Sequence, residues 1–167
     1  LYEIIWIRIF GLIFGNTTLA ISTVLSAFML GLAWGSNQLG KFADRFKNHL
    51  KAYALLELGV GLTALLVPLS WGILETLYTI LFSLLNNQNF IFNLIKFALS
   101  FLVMLPATFL MGGTLPVVSH LLVEEKEKLG RGIGILYGFN TIGAVAGTFF
   151  TGFYLIRMLG VNQTLLF

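Results

Sequence analysis

Cysteine is absent from this chain and charge is scarce. Among 167 residues there is no Cys, there are only 3 Pro and 2 His, and Asp, Glu, Lys and Arg together make up 10%. Without cysteine there is neither a disulfide nor a thiolate metal site. The two histidines, His49 and His120, lie far apart in sequence without ligand-like companions, and they read as interfacial polar residues rather than metal ligands. A soluble domain carries about 25% charged residues. The shortage here leaves too little polar surface to cover a globule in water. The net charge is only +3 and the basic residues sit in loops, which excludes the basic face that a nucleic-acid partner needs. No nucleophile–base pair stands out. Gly130-Arg-Gly-Ile-Gly134 is glycine-rich but follows a charged loop, not a strand, and is no nucleotide fingerprint. No cofactor and no metal are expected.

What is abundant is apolar sequence: 57% of residues are hydrophobic and the mean hydropathy is +0.91. The expected class is an integral membrane protein, all-α, a polytopic helix bundle with the lipid bilayer as its principal partner. The stretch from Gly31 to Lys51 organises it. An uncharged run, Leu19 to Leu39, precedes the basic residues Lys41, Arg45, Lys47 and Lys51, and a second apolar run, Ala52 to Leu69, follows them. Cationic loops are retained on the cytoplasmic side.

Counting outward gives six spans. Leu1 to Phe14 is the outer part of a first helix, and Gly15-Asn16-Thr17 is a turn. Thr18 to Gly40 and Ala52 to Leu69 are the second and third spans. Ser70 to Leu85 reads as an amphipathic helix on the outer surface, because one helix from Ala52 to Leu85 would be about 51 Å long, beyond a hydrocarbon core of about 30 Å. Phe90 to Leu110 is the fourth span, kinked at Pro106, and Met111-Gly-Gly-Thr-Leu-Pro116 is expected to break it. Gly132 to Ile156 is the fifth. An outer turn over 157–162 leads into a sixth that is cut off at Phe167. The whole of 1–167 reads as one transmembrane domain, a piece of a longer chain. Seven basic residues fall on inner loops (Lys41, Arg45, Lys47, Lys51, Lys126, Lys128, Arg131) against two outside (Lys96, Arg157). The positive-inside rule then puts loops 41–51 and 124–131 in the cytoplasm of an inner-membrane, multi-pass protein.

Charges inside a span are costly and usually face protein or a cavity. Glu3 lies about 18 Å below the outer boundary at Gly15, and Glu57 about 9 Å above the inner one at Lys51, so both reach the cytoplasmic half. Thr114 and Asn140 fall in the same broad layer, and Tyr137 shares a helix face with Asn140. The candidate site is this polar layer: Glu3, Arg8, Glu57, Thr114, Tyr137 and Asn140. One reading is a buried hydrogen-bonded network in which Arg8 neutralises a carboxylate. The other is a polar cavity open to the cytoplasm for a cationic ligand or a proton. Small-residue stripes, Ala27, Gly31 and Gly35 on one span and Gly143 and Gly147 on another, suit close helix packing. They equally suit other membrane helices or a homo-oligomer.

Five segments carry a resemblance. Tyr2-Glu-Ile-Ile-Trp-Ile-Arg8, Ser22-Thr-Val-Leu-Ser-Ala-Phe-Met-Leu-Gly-Leu-Ala-Trp-Gly-Ser36, Ala54-Leu-Leu-Glu-Leu-Gly-Val-Gly61, Leu110-Met-Gly-Gly-Thr-Leu-Pro116 and Gly134-Ile-Leu-Tyr-Gly-Phe-Asn-Thr-Ile-Gly-Ala-Val-Ala-Gly147 follow in order along nearly the whole chain. Together they resemble the membrane part of fused spermidine synthase-like proteins. Gly40-Lys-Phe-Ala-Asp-Arg45 is similar to the loop between the second and third helices of major facilitator transporters. The resemblance implies a soluble aminopropyltransferase domain as a fused or separate partner, which transfers an aminopropyl group from decarboxylated S-adenosylmethionine to putrescine. The marks of that domain, a glycine-rich loop after a strand and acidic residues that hold amines, are not in this sequence. The chain is therefore expected to be a non-catalytic anchor or a polyamine-handling module. The alternatives are half of a major facilitator-type secondary transporter and a structural subunit of a larger membrane complex.

Overall fold

The computed structural model describes residues 2–15, 17–43, 45, 48–84, 89–122 and 129–164. The described residues are almost wholly helical and contain no strand. In chain order the helices are α1 (Tyr2–Phe14), α2 (Thr17–Ala43), α3 (His49–Ala64), α4 (Leu66–Leu69), α5 (Trp71–Leu84), α6 (Asn89–Leu122), α7 (Leu129–Phe150) and α8 (Ile156–Thr164). A π-helical segment, Thr151–Leu155, joins the last two. Four stretches are long and apolar enough to cross a membrane: Thr18–Ala43, His49–Leu69, Phe90–His120 and Gly132–Val161. Lys47, Glu124, Lys126 and Lys128, on which much of the charge count rests, lie outside the described residues, as does the start of a sixth span beyond Thr164.

The turn between α2 and α3 is built from short-range polar contacts. Asn48 caps α3 by accepting a hydrogen bond from the Lys51 backbone N–H at 2.9 Å, which satisfies one of the donors that a helix start leaves free. From there α3, α4 and α5 form one bent arm. Leu65 and Ser70 separate its pieces while keeping right-handed helical torsions. The arm runs antiparallel to α6. Ala52 packs with Val117 near the turn between α2 and α3, Gly59 faces Leu110, Tyr78 bonds Ser100 and Phe82 meets Phe92. Beyond Ser70 the chain therefore continues beside α6 instead of lying flat across it.

Helix α6 runs unbroken for 34 residues through Pro106 and Pro116, so the break expected at Met111 to Pro116 is corrected. Proline removes a backbone donor and disfavours a helix, but here α2 lies against the same stretch along its full length. Gly31 meets Thr108, Gly35 meets Phe109, Gly112 meets Leu32 and Ser36, and Gly113 meets Leu39. Residue numbers rise together on both helices, so α2 and α6 run parallel. Side-chain packing on both sides keeps the segment helical. The outer turn expected over 157–162 is concentrated at Gly160, whose φ of 76° and ψ of 170° interrupt α8.

The core lies where α1, α2, α5 and α6 meet. Trp6, Phe10, Val24, Met104 and Tyr78 are all buried there. Trp6 stands over Phe28 with ring centroids 5.5 Å apart. Helix α7 is different: Ile135, Phe139, Ile142, Val145 and Phe149 are exposed along its length.

Candidate functional site

The sequence places Glu3, Glu57, Thr114 and Asn140 in one broad layer, with Tyr137 and Arg8 beside them, and among the described residues no hydrogen bond and none of the larger cavities links any two of the six. Glu57 and Arg8 are exposed, and so are Asn140 and Tyr137, the latter at 63%. Glu3 and Thr114 are half-buried. Thr114 returns its hydroxyl to its own helix, donating to the Met111 carbonyl at 2.8 Å. Glu57 interacts with the hydroxyl of Tyr53, one turn earlier on α3. No ion pair joins Arg8 to a carboxylate among the described residues. The physical reason is rotational. Depth follows from counting residues, while the face that each helix turns inward follows from its neighbours. The inward faces of α1 and α2 are set by Trp6, Phe10, Val24 and Ala27, and Arg8 lies off that face.

Two arrangements that the sequence did not reveal stand at opposite ends of the bundle. At one end, beside the turn between α2 and α3, His49 and His120 stack, with ring centroids 5.5 Å apart and planes 14° from parallel. His49 Nε2 also lies 3.1 Å from the Ala43 carbonyl at the end of α2. The pair ties the ends of α2, α3 and α6 together. No group of three or more potential metal-binding side chains occurs among the described residues.

At the other end Lys96, counted in the sequence among the outside basic residues, packs among aromatic rings. Its Nζ lies 4.5 Å from the centroid of the Phe92 ring and 5.7 Å from those of Phe14 and Tyr78. It donates to the Ile13 carbonyl at 3.4 Å, one of the unpaired carbonyls that end α1. A cation over aromatic faces and at a helix C-terminus is favoured on both counts. Beside it the Tyr78 hydroxyl and Ser100 Oγ are 3.0 Å apart. A cavity of about 420 Å³ opens next to this group, lined by Leu12, Glu75 and Lys96 among others.

A second cleft, about 650 Å³, lies between α1 and the π-helical segment with α8. Arg8 and Arg157 both line it. A third, about 720 Å³, continues along the same seam past Ile9, Leu159 and Gly160. Residue numbers rise together from one cleft to the next, so α1 and α8 run parallel.

No family model matches this chain, and neither does any curated protein or solved structure. The class that the fold defines is an all-helical bundle with four helices long and apolar enough to cross a membrane.

Proposed function

We propose that this chain is a multi-pass membrane module arranged like half of a facilitator-type bundle, serving as the non-catalytic membrane domain of a spermidine synthase-like protein. The observation that carries the arrangement is the pairing of helices. Taking α1, α2, the α3–α5 arm, α6 and α7–α8 as successive passes, the parallel pairs are first with fifth and second with fourth. An axis in the membrane plane that exchanges passes one to three with four to six carries one pair onto the other. Inverted three-helix repeats of that kind underlie facilitator halves. In this reading Lys41 and Lys51 sit at the cytoplasmic face. Glu75 stands at the outer boundary, because it lines a cavity with Leu12 and Ile13 close to the end of α1.

The anchor branch is favoured over the polyamine-handling branch because Glu3 and Glu57 do not converge. Aminopropyl transfer needs a sulfonium nucleotide and an amine held in near-attack geometry. Glu57 is exposed on α3 and Glu75 is exposed on α5, on opposite ends of one arm. The second reading, half of a secondary transporter, is favoured by the clefts along the α1–α8 seam.

Because the chain has no native cysteine, single cysteines at Lys51 and Ser83 report its orientation directly. In intact cells an impermeant maleimide should label position 83 and leave position 51 untouched; the reverse pattern would sink the topology. Supplied with decarboxylated S-adenosylmethionine and putrescine, the purified chain should release no methylthioadenosine above a no-protein control. Turnover that disappears in Glu57→Gln would show that the domain is itself an enzyme.

A further inference from the structure

We propose that the cleft between α1 and α8 binds a phosphate group, with Arg8 and Arg157 as its two charged ligands. The inference goes beyond the anchor reading and does not depend on it. Arg8 and Arg157, both exposed, line one cleft of about 650 Å³. Among the described residues neither has an ion pair or hydrogen bond. Among the described residues no acidic one lines the cleft; Ile4, Ile156 and other apolar groups make its walls. Two cations lining one concavity repel each other, and a shared anion removes that penalty.

The chemistry favours phosphate over a single carboxylate. Each guanidinium presents a planar fork of N–H donors, and forks arriving from two helices need acceptors on more than one side. A phosphate offers several oxygens in a tetrahedral arrangement and accepts bidentate pairs from arginine. The backbone around the cleft is also unusual. The π-helical segment Thr151–Leu155 forms one side through Gly152, and π-bulges are frequent at functional sites. A Cβ at Gly11 or Gly152 would meet nothing within 4 Å, so both positions face open space. One residue before Gly152, the Thr151 hydroxyl is fully buried without a hydrogen-bond partner, in contrast to Thr141, which donates to its own helix. The phosphate belongs either to a lipid headgroup or to a soluble phosphate.

The test uses the full chain purified in dodecyl maltoside at constant ionic strength, with thermal unfolding as the readout. One arm titrates inorganic phosphate and the other titrates phosphatidylglycerol. In the wild type at least one arm should raise the midpoint in a saturable way. Arg8→Gln and Arg157→Gln should each weaken half-saturation by about tenfold or more, the loss of one charged hydrogen-bonded ligand. Gly152→Leu fills the cleft with both charges intact and should also abolish the response, so the test stands even if an arginine variant fails to fold. A response to phosphatidylglycerol alone identifies a headgroup; a response to inorganic phosphate identifies a soluble ligand. No response in the wild type to either anion overturns the proposal. An undiminished response in the double arginine variant, or in Gly152→Leu, does the same.

Discussion

Two parallel helix pairs run through this molecule, and they are packed in opposite ways. Between α2 and α6 the backbones touch. A Cβ on Gly35 would strike the Phe109 carbonyl, and one on Gly112 would strike the Leu32 carbonyl and the Ser36 N–H. Between α1 and α8 the helices stand apart over two clefts, and two arginines line one of them. In lipid no hydrophobic force draws helices together, so close van der Waals contact decides which pairs hold. The first seam has that contact and carries stability. The second is looser: Ile156 and Val161 pack against the core, but clefts open beside them. Lys96 joins the two, since it sits on α6 and bonds the end of α1.

The sharpest way to break the contrast is to add bulk where the backbones meet. Gly112→Val forces a branched side chain into the Leu32 backbone. Overpacking of this kind costs typically 1–3 kcal/mol, and because the obstacle is main chain the expected loss is at the upper end, about 3 kcal/mol. Thermal unfolding in detergent should fall clearly below wild type; an unchanged midpoint would show that the seam is looser than its geometry.

A smaller effect is expected at the link between the seams. Lys96→Gln removes the cation that Phe14, Phe92 and Tyr78 surround and weakens the bond to the Ile13 carbonyl. Cation–π contacts are worth roughly 0.5–2 kcal/mol, so the expected loss is about 1 kcal/mol. Lys96→Arg should recover most of it, and failure of that rescue would point to packing rather than charge.

The smallest effect should carry the opposite sign. Gly138 lies on the exposed α7, and a Cβ there meets nothing within 4 Å. Alanine is favoured over glycine in a helix interior by roughly 0.8–1.0 kcal/mol, so Gly138→Ala should raise stability slightly. A loss comparable to that of Gly112→Val would mean that α7 has a tight partner, and the comparison between seams would need redrawing.

Much of the architecture was legible before any contact was known. Apolar runs separated by Lys41 to Lys51 marked the end of α2 and the start of α3, because charge that dense is tolerated only where a helix leaves apolar surroundings. The stripe of Ala27, Gly31 and Gly35 marked a packing face, and that face is the one α6 covers. Its partner was not legible. The segment around Gly112 and Gly113 reads locally as a break, and only contact with α2 explains why it stays helical. The stacking of His49 on His120 joins residues far apart in sequence, and neither carries a local signal of the other. The packing of Lys96 among aromatic rings was likewise hidden, since a lysine near a helix end ordinarily reaches for water.

The sequence by itself determined the class of the protein, the approximate helix ends and the position of each charge along its helix. Those properties depend on composition and on a constant rise per residue, which are local. Only the tertiary structure decided which faces meet. It turned Glu57 and Asn140 outward and put Arg8 into one cleft with Arg157. A helix can rotate about its axis without changing any residue's depth, and its neighbours set that rotation.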